Sequence, residues 1–156
     1  MDPDGTVVVD GADATVEIRA SEVSRAVSLV AANPGVRDEM RRRQREWAEH
    51  RGGGVLEGRD IGTVVFPDAE VKFFLTATPE IRAQRRFDEL AEKGNPVSYE
   101  GTLEDVKRRD TADTERPVSP LRRADDAVLI DSTGRSIDDV IDEMARVVET
   151  RTGSGS

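Results

Sequence analysis

Two runs of this chain, Val71-Lys-Phe-Phe-Leu75 and Ala127-Val-Leu-Ile-Asp131, are apolar almost throughout. A strand with that pattern has no solvent face and belongs in a sheet covered on both sides. The residues between the two runs carry helix punctuation. Thr78-Pro79 opens a predicted helix to about residue 93, closed by Gly94-Asn-Pro96, and Thr102 opens another to about residue 113. Pro117 and Pro120 bracket a loop, and Ser136 caps a last helix carrying Ile137, Val140, Ile141, Met144 and Val147-Val148. Upstream, Val55-Leu56 is expected to open a short strand running into Glu57-Gly-Arg-Asp-Ile-Gly-Thr63. Buried strands alternating with helices from residue 55 onward predict an α/β domain with a parallel sheet.

The first 50 residues follow a different pattern. Thr6-Val-Val-Val-Asp10 reads as a short strand with a turn at Gly11. Residues 21–32 read as a helix with Val23, Ala26, Val27 and Val30 on one face. Asn33-Pro34 is a cap and first-turn proline for a second helix over about 35–50. The Arg41-Arg-Arg-Gln-Arg45 run on that helix reads as a solvated face, with Met40 and Trp47 as its core contacts. Gly52-Gly-Gly54 breaks the helix. The expected organisation is a lobe over 1–50, an α/β core over 51–150 and a flexible tail over 151–156.

Composition narrows the function classes. The chain has 156 residues, 23 Lys+Arg and 32 Asp+Glu, for a net charge of −9. That balance argues against a nucleic-acid coat or a binder of anionic membranes. No cysteine is present, which excludes disulfides, thiolate catalysis and Cys-based zinc sites, and a single histidine argues against a His-rich metal site. There is no apolar run of membrane-spanning length and no signal peptide is expected in MDPDGTVVVD, so the sequence reads as cytoplasmic. All but 3 of the 23 cations are arginine. A GC-rich genome explains this, and so does bidentate recognition of phosphate or carboxylate; position has to decide.

Three stretches place charge where a ligand could use it. Glu57-Gly-Arg-Asp-Ile-Gly-Thr63 follows a predicted strand, and ligands of open α/β sheets sit beyond strand carboxyl ends. Arg59 and Asp60 suit an anion and a hydrogen-bond donor, although the same residues suit a tight turn with a surface ion pair. In Arg108-Arg109-Asp110 with Asp113 and Arg116, positions 109, 113 and 116 share a helical face. That face suits an anion clamp or a solvated salt-bridge ladder. Arg82, Arg85 and Arg86 lie opposite the Ala83, Phe87, Leu90 and Ala91 face of their helix, as an uncompensated cluster for a polyphosphate or as a solvated face. Gly52-Gly-Gly54 is no phosphate loop, because it precedes a strand and no Lys-Ser/Thr follows it.

Taken in order, these stretches resemble bacterial cytidylate kinases, nucleoside monophosphate kinases of the P-loop fold. The resemblance spans about residues 7–146 and rests most firmly on Glu57-Gly-Arg-Asp-Ile-Gly-Thr-Val-Val-Phe-Pro-Asp68 and on Arg108-Arg109-Asp110, Asp113-Thr-Glu-Arg116 and Val118-Ser-Pro-Leu121. It implies transfer of the ATP γ-phosphoryl group to CMP or dCMP, with Mg²⁺ accompanying ATP. It implies a monomeric enzyme when intact, with no membrane or nucleic-acid polymer as partner. Ser28 and Arg37 match base-reading residues of the family, and Asp60 matches the aspartate that takes the cytosine exocyclic amine. Arg59 matches an arginine on the CMP phosphate, Arg109 and Asp113 a pair near the ribose, and Arg116 a further phosphate-directed arginine. Arg59, Arg109 and Arg116 are thereby the expected catalytic cations. Arg85 and Arg86 fall in the ATP-covering lid, about residues 82–100, and the lobe over 1–50 becomes part of the monophosphate-binding insert.

The chain departs from the family pattern in one respect: it contains no Gly-x-x-x-x-Gly-Lys-Ser/Thr. The resemblance places the first strand, that loop and its helix ahead of residue 1, with Met1 inside the insert. The expectation is therefore a P-loop-kinase-like parallel sheet without its N-terminal strand and phosphate loop. The alternative to an active kinase is a truncated, inactive fragment that binds CMP. No metal site is expected among the residues present.

Overall fold

The computed structural model describes residues 6–19, 23, 26–27, 30, 33–92, 94 and 96–153. The chain divides into two compact units at the glycine run, Met1–Gly53 and Gly54–Ser156.

In the first unit, β1 (Val8–Val9) and β2 (Ala12–Asp13) form an antiparallel hairpin, with Val9 opposite Ala12. Its two-residue turn, Asp10-Gly11, has φ of 50° and 83°. Positive φ at both positions is what a type I′ hairpin turn requires, and Asp-Gly is suited to it. The predicted helix over 21–32 falls largely outside the described residues, although Val23, Ala26, Val27 and Val30 are helical. Helix α1 (Pro34–Arg51) begins as its sequence predicts. The Asn33 side chain accepts from the amides of Gly35 and Val36 at 3.0 and 3.3 Å, and Gly52 closes the helix at φ 69°. Arg42 and Arg43 pair with Glu39, and Arg41 pairs with Asp38, so the arginine run is a salt-bridged surface. The expectation that Trp47 is core does not hold within this unit. Trp47 is 41% exposed, with the Arg51 guanidinium 4.5 Å from its ring centroid. Ala48 is the buried residue of α1, because a helix this rich in charge has no continuous apolar stripe to bury.

The second unit is α/β. A π-helical turn (Ile61–Val65) precedes β3 (Phe73–Thr76), then α2 (Pro79–Glu92), α3 (Tyr99–Glu115), β4 (Val128–Asp131) and α4 (Ile137–Thr152). β3 and β4 pair in parallel, Phe73 with Val128 through Thr76 with Asp131. A parallel pair needs a crossover, and α2 and α3 supply it. They pack on each other, with the Phe87 and Tyr99 rings edge to face at 6.4 Å. Helix α3 starts three residues ahead of its prediction, because the Ser98 hydroxyl already accepts from the Gly101 amide at 3.1 Å. Ser136 caps α4 as expected, accepting from the Asp139 amide at 3.1 Å. The centre of the core is Val65, Ala83 and Ile130, all essentially inaccessible.

The strand expected at Val55-Leu56 is absent. Residues 53–57 have no regular structure, and Val55 is 97% exposed. A strand exists only by pairing, and no described strand pairs with this stretch. Leu75 and Leu129, read as buried from the apolar runs, are about half exposed in the two-stranded sheet.

Candidate functional site

The Gly58–Val65 stretch folds as a tight loop around one carbonyl. The Asp60 oxygen accepts from the amides of Thr63, Val64 and Val65 at 3.3, 2.9 and 3.2 Å. Gly58 is needed for space, since a Cβ there would lie 2.8 Å from Cγ1 of Ile61. Val65 pins the far end of the loop in the core. The loop is also held from the side by Lys72, whose stem occupies the space where a Cβ on Gly62 would come into van der Waals contact with it. The Lys72 ammonium donates to the Pro67 carbonyl and to Asp126 Oδ2, the latter at 2.7 Å. Lys72 interrupts an otherwise apolar run, and its partners Pro67 and Asp126 lie 5 and 54 residues away, so the sequence marks the residue without showing what it holds. The consequence is that Asp60 sits buried, 4% exposed, on a loop braced on both sides.

Arg59, next to it, reaches α3. Its Nε lies 3.2 Å from Oδ2 of Asp113, and Nε of Arg109 lies 3.8 Å from the same oxygen. Two guanidiniums thus converge on one largely buried carboxylate. The contacts are ion pairs only, because that buried oxygen accepts no hydrogen bond of good geometry. Arg59, Arg109 and Asp113, separated by about 50 residues in the sequence, are therefore brought together. Arg116, at the end of α3, donates through Nε to the carbonyl of Ser119, a buried residue held at φ 52°. The Leu121 amide bonds the Asp113 carbonyl at 2.7 Å, folding this loop back onto the helix.

The α2 arginines differ from their sequence reading as an uncompensated cluster. Arg82 makes a bidentate pair with Asp110 of α3, at 2.7 and 2.5 Å, and its Nε donates to the Ala77 carbonyl at 3.0 Å. Arg85 donates to the Ser132 hydroxyl and carbonyl at 3.0 and 2.8 Å, and Arg86 pairs with Glu89. Ala77 and Ser132 follow β3 and β4, so Arg82 and Arg85 lie at the carboxyl ends of the strands, the ligand side of an open α/β sheet. The Arg82 guanidinium holds the Asp110 carboxyl below the usual range, and the charges of Arg59 and Arg109 add to the effect. Partners 28 and 47 residues away left no local signal of either contact.

Of the base-reading candidates, Arg37 lies on the first turn of α1, and its amide bonds the Asn33 carbonyl at 2.9 Å. Ser28 lies outside the described residues. Among the described residues no three His, Cys, Asp or Glu side chains come together as a metal site, and no helix is long and apolar enough to cross a membrane. Among the described residues, the carboxylates do not by themselves form a cage for Mg²⁺.

A parallel α/β sheet with arginines gathered beside its strand ends is an arrangement that suits an anionic ligand. A family model described as cytidylate kinase matches residues 2–150. The cytidylate kinase of Bacillus velezensis is 50% identical over 151 residues, covering 96% of this chain and 67% of the relative. That of Bacillus subtilis is 49% identical, covering 94% and 65%, and that of Rhodococcus jostii is 50% identical, covering 99% and 68%. The chain belongs to the cytidylate kinase family. It spans about two thirds of the length of these curated relatives.

Proposed function

We propose that the protein to which these residues belong transfers the γ-phosphoryl group of ATP to CMP or dCMP, giving CDP or dCDP, and that these residues form the acceptor half of its site. The observation that carries this is the convergence of Arg59 and Arg109 on Asp113 beside the buried Asp60. Phosphoryl transfer between two anions demands positioning and charge neutralisation more than covalent help. Arg59, Arg109 and Arg116 supply the positive charge that a nucleoside monophosphate needs. Asp60 supplies a carboxylate acceptor, which suits the N4 amine of cytosine and does not suit the carbonyl of uracil at the same position. Ser28 and Arg37 complete the base reading in this account, and Arg85 and Arg86 serve the ATP side. ATP brings Mg²⁺ with it, and the protein works as a cytoplasmic monomer.

A second reading, CMP binding without transfer by these 156 residues alone, is favoured by one sequence fact: none of Lys72, Lys93 and Lys107 stands in a Gly-x-x-x-x-Gly-Lys-Ser/Thr loop. Calorimetry with CMP and ATP, alongside a coupled assay of ADP release, separates the two readings. Binding of CMP with turnover supports the first, and binding without turnover supports the second. Failure to bind CMP above other monophosphates contradicts both.

A further inference from the structure

We propose that Arg82 is a positioning residue that keeps the phosphate-directed guanidiniums Arg59 and Arg109 available by occupying both carboxylate oxygens of Asp110. This rests on the reading of Arg59 and Arg109 as anion contacts.

The placement makes Asp110 a competitor for any anion brought to this cluster. It precedes Asp113, the residue Arg59 reaches, by one helical turn, and its carboxyl lies close enough to feel the charges of both Arg59 and Arg109. Asp113 already draws on Nε of both arginines. Among the described residues, neither Arg59 nor Arg109 makes a further hydrogen bond with good geometry, so their remaining N–H groups are the donors an incoming phosphate would use. A second unpaired carboxylate beside them would take those donors first, because a tethered anion is always present at high effective concentration.

Arg82 prevents this through geometry. Its two terminal nitrogens take one Asp110 oxygen each, at 2.7 and 2.5 Å, in the fork arrangement that satisfies a carboxylate most completely. A third of its five N–H donors, that on Nε, is bonded to the Ala77 carbonyl at 3.0 Å. Every hydrogen bond made by the Arg82 side chain therefore goes to Asp110 or to the end of β3. The pair also joins the first turns of α2 to the last turns of α3 and fixes the azimuth of the helix that carries Arg109.

This role differs in sign from that of a plain structural tie. A structural tie predicts that cutting it from either side weakens ligand binding. Sequestration predicts opposite effects: Arg82→Met frees Asp110 to compete, whereas Asp110→Asn removes the competitor. The experiment is titration of the 156-residue chain and three variants, Arg82→Met, Asp110→Asn and the double variant, with CMP and with inorganic phosphate at low ionic strength, each variant first checked for a folded circular-dichroism spectrum. The expected result is about tenfold weaker binding of both anions to Arg82→Met, binding at least as tight as wild type to Asp110→Asn, and near-wild-type binding to the double variant. Weakening by both single variants alike, no change in either, or a double variant as weak as Arg82→Met would overturn the proposal, as would no phosphate binding by any form. Should Arg82→Met not fold, the comparison of wild type with Asp110→Asn still decides, since weakened binding by that variant contradicts sequestration. The sign pattern with phosphate but no preference for CMP over other monophosphates would leave the Arg82 role standing and remove the cytidylate reading.

Discussion

Nε of Arg59 stands 3.2 Å from Oδ2 of Asp113, joining the loop after residue 57 to the middle of the candidate clamp on α3. The same oxygen is 3.8 Å from Arg109, so one carboxylate orients two cations that otherwise repel. Asp113→Ala is expected to let the two guanidiniums separate. An ion pair of this kind is worth about 0.2–1 kcal/mol and two are lost, so CMP affinity should fall by roughly three- to tenfold. Asp113→Asn should fall less, because the amide keeps the shape of the side chain and its oxygen still turns a partial negative charge toward the two guanidiniums. Calorimetry on the two variants checks the order.

On the proposed reading, Arg59→Ala removes a charge directed at phosphate and not at base. It should therefore weaken CMP, UMP and AMP by a similar factor, of the order expected for one charge-assisted bond, about 1.5–3 kcal/mol. A change in the ranking of the three nucleotides would mean that Arg59 reads the base.

Acid should act through Asp110. Its carboxyl is held below the usual range, first by the Arg82 hydrogen bonds, so the folded state binds its proton less readily than the unfolded chain does. A depressed carboxyl adds stability that is fully present above the unfolded value, near pH 4, and that disappears as pH falls through the folded value. Denaturant midpoints measured from pH 6 down to pH 3 should decline below about pH 4, and Arg82→Met should flatten that decline. An unchanged profile in the variant would assign the acid sensitivity to other carboxylates.

Ile130 is 1% exposed at the centre of the two-stranded sheet. Ile130→Ala should cost about 2–5 kcal/mol and Ile130→Val about 0.5–1.5 kcal/mol. Against a typical total of roughly 5–15 kcal/mol, the alanine variant is expected to melt well below the unaltered chain by circular dichroism.

Local chemistry was legible in the sequence and pairing at a distance was not. Asn33, Ser136 and Gly52 announce helix ends because a cap involves residues within a turn of one another. The parallel partnership of the two apolar runs followed from their lack of a polar face and from the helices between them. Val55-Leu56 misled for the complementary reason: β-propensity forms a strand only when a partner strand is in reach. Trp47 misled because an aromatic on a charged helix can cover itself with its own Arg51. At the site, the spacing of Arg109, Asp113 and Arg116 marked a shared helical face, but nothing local showed that Arg59 would join Asp113. The resemblance supplied that grouping, and the geometry gives it a physical form. The Arg82–Asp110 pair went unread because both residues look like ordinary surface charges until α2 and α3 meet.

The central claim is that the acceptor site reads cytosine through Asp60, and paired titrations of the chain and its Asp60→Asn variant with CMP and UMP test it most directly. A carboxylate deprived of its amine partner costs about 1–3 kcal/mol, or roughly 5- to 150-fold. The unaltered chain is predicted to prefer CMP by a factor in that range, and Asp60→Asn, with shape kept and charge removed, to lose most of the preference as CMP binding weakens and UMP binding stays level or tightens. Equal binding of CMP and UMP by the unaltered chain, or an undiminished CMP preference in the variant, would contradict the claim.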